Sequence, residues 1–139
     1  MRNFQLFIKR AFDIVASAAL IIILTIIPVF IIVPIAIKLT SKGPAVFVQE
    51  RSGKDGKVFN IYKFRTMKLL PEGAYSVDGV LYKANGELLE PSSTRITKVG
   101  KFLRKTSLDE LPQLFNILNG TMSFVGPRPT LPCQAKSYN

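Results

Sequence analysis

Between Ile14 and Ile37 the chain runs for 24 residues without a charge, and only Ser17, Thr25, Pro28 and Pro34 interrupt a succession of Ile, Leu, Val, Ala and Phe. A run of this length matches the hydrocarbon thickness of a bilayer and reads as membrane-embedded. A cleaved signal peptide is the competing reading, but the run is long for one and no small-x-small cleavage site follows it. Arg2, Lys9 and Arg10 precede the run, and Lys38, Lys42, Arg51, Lys54 and Lys57 follow it. Lys and Arg are retained on the cytoplasmic side, so basic flanks at both ends suit a helix that enters, breaks and leaves on one face. An ordinary kinked span is the alternative, and the residues alone leave both open. Pro28 and Pro34 are the break points, each lacking an N–H and opposing the carbonyl four residues back. Asp13 lies three residues after Arg10 on the same helical face, which predicts an anchoring ion pair at the membrane border.

The basic excess extends beyond those flanks. Residues 40–139 carry 15 basic and 8 acidic side chains, within a whole-chain net charge of +10. Such a balance favours anionic partners: phosphorylated substrates, anionic lipid or nucleic acid. The apolar run and the lack of an aromatic–basic RNA motif argue against nucleic acid. Histidine is absent, which excludes imidazole acid–base chemistry and His-ligated metals. The single cysteine, Cys133, cannot form an internal disulfide and fits a reducing compartment. Chemistry therefore falls to carboxylates, hydroxyls, lysines or that thiol.

Local patterns predict an α+β chain, with a membrane part over residues 1–40 and a cytoplasmic part over 41–139. Ala45–Gln49 and Val58–Thr66 read as a β-hairpin around the turn signal Gly53-Lys54-Asp55-Gly56. In the second strand Val58, Asn60, Tyr62 and Phe64 share one face, and Phe59, Ile61, Lys63 and Arg65 the other. Residues 69–94 read as a loop long enough for a lid or a variable insertion. Thr97–Lys105 is a short basic amphipathic helix, with Lys98, Lys101 and Lys105 on one face. It suits either an anionic headgroup layer or a solvated surface. Ser107 and Glu110 fit a capping box, Pro112 an early helical position, and Gly120 a helix end, so Asp109 and Glu110 are expected in the first turn of an amphipathic helix. In Gly126-Pro127-Arg128-Pro129, two prolines fix the backbone around a guanidinium suited to phosphate oxygens.

Two acidic residues at a helix start are commonly no more than good helix chemistry. Here the chain is basic, lacks histidine, holds a lipid segment and offers Lys63, Arg65, Arg104 and Arg128 as phosphate partners. A phosphate-handling site with Mg²⁺, an ion that takes hard carboxylate and phosphate oxygens, is consistent with that set.

Seven motifs in order carry a resemblance: Lys9-Arg10-Ala11-Phe12-Asp13 before a Pro-broken apolar helix, Gly43-Pro44, and Gln49-Glu50-Arg51-Ser52-Gly53. Lys63-Phe64-Arg65-Thr66-Met67, Arg95-Ile96-Thr97-Lys98-Val99-Gly100, Ser107-Leu108-Asp109-Glu110-Leu111-Pro112-Gln113-Leu114 and Gly126-Pro127-Arg128-Pro129 follow. Together they resemble the bacterial sugar transferases, the monotopic polyprenol-phosphate phosphoglycosyl transferases. The resemblance implies a re-entrant helix–break–helix with Pro28 at the break, and interfacial amphipathic helices against anionic lipid at the cytoplasmic face of the bacterial inner membrane. It implies that Asp109 attacks the β-phosphate of a UDP-sugar, expelling UMP. The phosphosugar then passes to a polyprenyl (undecaprenyl) phosphate, with Glu110 as proton acceptor and Mg²⁺ near Asp109. This would be the first membrane step of a glycan or exopolysaccharide pathway. Lys63, Arg65 and Arg128, and less directly Arg104, become phosphate or nucleotide contacts. Four departures accompany the resemblance. Ile27 stands where Ser commonly precedes the proline, Ser93-Thr94 where Asp-Pro is usual, and Thr121 where an acidic residue is usual. The family's later Arg-Pro-Gly-(Ile/Leu)-Thr-Gly motif is not in the 139 residues. The last departure sets an alternative expectation: a truncated chain acting as an inactive anchor or assembly partner in a glycan-building complex.

Overall fold

A computed structural model describes residues 2–53, 56–77, 80–83, 85–88 and 95–130. Helix α1 (Arg2–Ile26) and helix α2 (Val29–Thr40) meet at Ile27-Pro28 with a bend of 62°. Pro28 lacks a backbone donor, so α1 ends before it. Its carbonyl then accepts from Ile31 and Ile32 N–H at 3.1 and 2.8 Å and so starts α2. Pro34 lies inside α2 without breaking it. Among the described residues no single helix is long and apolar enough to cross a membrane, but the bent pair is so by length and composition. Phe7, Val15, Ile22, Ile31, Ile32 and Leu39 are each more than half exposed, a surface suited to hydrocarbon rather than water. Hydroxyls within the pair bond back to their own helices: Thr25 Oγ1 donates to Ile21 O at 2.7 Å, and Ser17 Oγ to Asp13 O. Polar groups near lipid need such internal partners.

The expected hairpin forms from β1 (Val46–Ser52) and β2 (Val58–Phe64), antiparallel, with Val46 opposite Phe64 and Ser52 opposite Val58. Residues 54 and 55 of its turn lie outside the described residues. The expected 69–94 loop is not wholly irregular. It contains a second small hairpin, β3 (Tyr75–Val77) on β4 (Val80–Tyr82), with a further bridge from Tyr82 to Leu88. Tyr and Val flanking Asp78-Gly79 are a hairpin signal too short to register as periodicity. Residues 78–79, 84 and 89–94 of that stretch are outside the description.

Helix α3 (Lys98–Lys105) begins where the pattern placed it. Thr97 caps it by accepting from Gly100 N–H at 2.9 Å. It packs hard against the chain leaving β2, where Thr97 N–H donates to Thr66 O at 3.1 Å. Ile37 of α2, Ala45, Phe64 and Leu103 form the buried core, with Phe30, Val33, Val99, Leu108 and Leu111 packed around them. The bent helix pair and the hairpin therefore share one core. Lys98, Lys101 and Lys105 of α3 remain exposed, as does Phe102.

The capping box does not form. Ser107 adopts a left-handed backbone (φ 56°), whereas a capping residue is extended, and its side chain caps nothing. Asp109 and Glu110 sit in a 3₁₀ turn (Leu108–Glu110) that leads through Pro112 into α4 (Gln113–Leu118). Gly120, at φ 86°, closes α4 in the left-handed conformation expected of a terminal glycine.

A Cβ on Gly100 would lie 1.9 Å from Thr66 O, whereas one on Gly126 would meet nothing within 4 Å. Gly100→Ala is therefore expected to cost about 1–3 kcal/mol or more in unfolding free energy, from overpacking. Gly126→Ala should stay near neutral. Denaturant unfolding in detergent separates the two, and equal effects would contradict the packing described.

Candidate active site

Strand alternation decides which side chains of β2 reach the site. Tyr62 and Phe64 turn toward the bent helix pair, with the Phe64 ring 6.0 Å from that of Phe30. Ile61 and Lys63 turn the other way and line a groove of about 280 Å³ with Arg51, Glu110, Gln113 and Arg128. Lys63 Nζ donates to Glu110 Oε1 at 3.0 Å, and Arg128 Nη2 stands 3.9 Å from the same oxygen. Arg51, expected only as one of the basic residues flanking the apolar run, is steadied by donating to Gln49 Oε1 at 2.8 Å. Arg51, Lys63 and Arg128 outnumber the one carboxylate among them, Glu110, by two charges. A groove so biased attracts an anion of about two negative charges. The Arg128 loop is tied to the hairpin end by Ser52 N–H donating to Thr130 O at 2.9 Å.

Asp109 lies beside this groove, half-buried in the 3₁₀ turn. Burial raises its carboxyl above the ordinary aspartate range, and the neighbouring Glu110 charge raises it further. The Lys63 and Arg104 charges oppose that rise. Arg104 is itself oriented by donating from Nε to Thr66 Oγ1 at 2.9 Å. Thus Lys63 and Arg128 converge on Glu110, and the Arg104 charge acts on Asp109 without a direct bond among the described contacts.

Arg65, expected beside Lys63, is placed differently. Strand β2 ends at Phe64, and Arg65 is only 4% exposed. Its guanidinium donates to Ser41 O at 2.8 Å, to Ser41 Oγ at 3.0 Å and to Lys42 O, capping the end of α2. A Cβ on Gly43 would come within 2.5 Å of that guanidinium, so Gly43 makes room for the cap. The expected Arg10–Asp13 pair is also replaced. Arg10 donates to Ile117 O at 2.6 Å and Leu118 O at 2.8 Å, the last two carbonyls of α4, the first of which also accepts from Gly120 N–H. Asp13 accepts from Phe124 N–H at 3.2 Å. Sequence neighbours on one face lost to partners more than a hundred residues away, which no local spacing reveals.

Asn116 was also not anticipated. Only 1% exposed, it accepts from Tyr62 N–H at 3.1 Å and donates to Asn60 O at 2.7 Å, standing in for a third strand at the free edge of β2. It also donates to Thr121 Oγ1 at 3.1 Å. An Asn inside a helical apolar pattern was its only sequence signal.

Among the described residues no group of three or more His, Cys, Asp or Glu could hold a metal. Two adjacent carboxylates with no third fit a Mg²⁺ that draws its other ligands from water and substrate phosphate. Asp109 would be its protein ligand.

Because the folded-state carboxyl of Asp109 titrates above its unfolded value, its ionised form costs stability at neutral pH. That cost vanishes below the unfolded value, where both states are protonated. In Mg²⁺-free buffer, Asp109→Asn should therefore raise the unfolding temperature at pH 7. The gain should fade as pH falls through the carboxylate range. A variant destabilised at pH 7 would contradict this environment.

Residues 4–139 match the sequence profile described as bacterial sugar transferase. A UDP-glucose:undecaprenyl-phosphate glucose-1-phosphate transferase of Escherichia coli K12 is 46% identical over 94% of this chain and 26% of its own length. Its namesake in Klebsiella pneumoniae is 43% identical over 93% of this chain and 25% of its own length. A putative undecaprenyl-phosphate N-acetylgalactosaminyl 1-phosphate transferase of Bacillus subtilis 168 is 42% identical over 94% of this chain and 66% of its own length. The chain thus spans about a quarter of the first two relatives. The carboxylate pair and the cations around it lie inside the matched region, and the chain belongs to the bacterial sugar transferase family.

Proposed function

We propose that this chain carries the catalytic centre for moving a sugar-1-phosphate from a UDP-sugar to a polyprenyl phosphate at the cytoplasmic face of the inner membrane. The observation that carries this reading is the convergence of Lys63 and Arg128 on Glu110, one residue from a half-buried Asp109. Relatives named for undecaprenyl-phosphate sugar transfer support it.

In this reading the diphosphate of the donor enters the groove and is held by Lys63, Arg128 and Arg51. An Asp109 oxygen attacks the β-phosphorus. The bond from that phosphorus to the bridging oxygen breaks, and UMP leaves with its electron pair. A phosphosugar stays on Asp109. An oxygen of the polyprenyl phosphate then attacks the same phosphorus and releases the carboxylate, and Glu110 takes a proton if that phosphate arrives protonated. Splitting one transfer into two is the gain of a covalent nucleophile. Mg²⁺, when bound at Asp109, supplies charge neutralisation on the phosphates. Partial burial suits the nucleophile, since a less solvated carboxylate attacks more readily.

The membrane pair works in this reading as a re-entrant wedge. Arg10, just ahead of the apolar run in α1, contacts α4, and Ile37 near the end of α2 enters the core beside Phe64 and Leu103. Both ends of the bent pair thus pack on one body, which favours entry and exit on one side. Exposed Phe102 among Lys98, Lys101 and Lys105 gives α3 a contact for anionic headgroups.

Two outcomes follow. With Mg²⁺, polyprenyl phosphate and either UDP-glucose or UDP-N-acetylgalactosamine, Asp109→Asn should abolish UMP release, by at least about a thousandfold, while membrane association persists. Full-rate release from the variant would remove Asp109 as nucleophile. In a Cys133→Ser background, cysteines placed at Arg2 and at Lys42 should both resist an impermeant thiol reagent added from outside. Labelling at one of them would mean a true span.

A further inference from the structure

The foot of α1 carries a buried polar cluster that the proposed chemistry does not use. Asp13 is 3% exposed and Ser17 is fully buried, deep for polar groups at the margin of an apolar element. All of their polar contacts lead toward the α4 end of the molecule or back into α1. Ser17 Oγ donates to Asp13 O and, at 3.2 Å, to Ile14 O. The Asp13 carboxylate accepts from Phe124 N–H at 3.2 Å, and the Phe12 ring meets that of Phe124 edge-on at 6.2 Å. One turn earlier, Arg10 grips the last carbonyls of α4 with two nitrogens. A Cβ on Gly120 would come within 3.1 Å of its guanidinium, so the glycine that ends α4 also admits the arginine.

These contacts bracket the groove. Helix α4 follows directly on the turn holding Asp109 and Glu110, and the segment after α4 runs from Phe124 to Arg128 in four residues, the last steps stiffened by Pro127. Fixing the Phe124 amide therefore limits where Arg128 can stand relative to Glu110. We infer that Asp13 and Arg10 are positioning residues for the anion groove: the membrane helix, through the Phe124 amide and the α4 carbonyls, sets the place of Arg128. This rests on reading the groove as the site of the donor's diphosphate. It means that the foot of the membrane helix belongs to the nucleotide-binding apparatus as well as to the anchor.

The test is a double-mutant cycle read out as UDP affinity of the intact protein in lipid nanodiscs with Mg²⁺. Arg128→Ala should weaken UDP by about tenfold or more, the scale of one lost charged phosphate contact. Asp13→Ala should weaken it by a similar factor. Asp13→Asn, which keeps an oxygen for the Phe124 amide, should stay within about twofold of the parent. Asp13→Ala combined with Arg128→Ala should bind no worse than Arg128→Ala alone, because the first change acts through the second. General loosening would instead give additive losses and no rescue by Asn, and that result overturns the inference. Should Asp13→Ala not fold, Arg10→Lys takes its place in the cycle: it keeps the flanking charge but cannot grip both carbonyls, and additivity there is equally fatal. Unchanged UDP affinity in Arg128→Ala would instead strike at the proposed donor site itself.

Discussion

At the edge of an apolar membrane element, a polar group without water must find its partner inside the protein. Arg10 and Asp13 meet that constraint by reaching α4 and the Phe124 amide, and the arrangement of the site follows from it. Helix α4 has only six residues and could not hold its place by its own hydrogen bonds. It is fixed at its end by Arg10, along its side by Asn116 bonding the free edge of β2, and by Leu114 and Ile117 in the interior. Because β2 also carries Lys63, the same lock that steadies α4 brings the lysine to Glu110.

The groove and the turn divide the electrostatic work. Glu110 is exposed enough to be solvated and is compensated by Lys63 and Arg128. Asp109 is more withdrawn, and burial raises its carboxyl while Lys63 and Arg104 draw it back. Two adjacent carboxylates in unlike surroundings are suited to unlike roles, one as nucleophile and the other as proton acceptor. The cation surplus of the groove favours an anionic occupant, whose charge would offset the repulsion the cations exert on one another.

Much of this was legible in the sequence wherever the signal was local. The Pro28 break, the hairpin expected from Ala45–Gln49 and Val58–Thr66 and the helix expected over Thr97–Lys105 all rest on residues within a few positions of one another. Lys63 and Arg128 were each named from the sequence as phosphate partners, but nothing local showed that they meet at Glu110. What was not legible depends on contacts across the fold. Arg65 shares a strand face with Lys63 on paper, but the strand stops one residue short and the guanidinium turns to the Ser41 and Lys42 carbonyls just after α2. Ser107 and Glu110 match a capping box, but the left-handed backbone at Ser107 and the pull of Lys63 on Glu110 undo it. The role of Asn116 could not be seen without knowing which strand edge lay bare. Thr121 joins that same network, donating to Asn116 O at 3.2 Å, so the departure from the usual acidic residue serves the local structure.

The central claim is that Asp109 carries the phosphosugar between donor and acceptor. Its most direct test is mass spectrometry of the protein quenched after exposure to Mg²⁺ and a UDP-sugar without polyprenyl phosphate. A hexose-phosphate or N-acetylhexosamine-phosphate increment on the peptide containing Asp109, discharged when the lipid acceptor is added, is the predicted result. An unmodified Asp109 peptide under conditions where UMP is being released, or an increment on another residue, would contradict it.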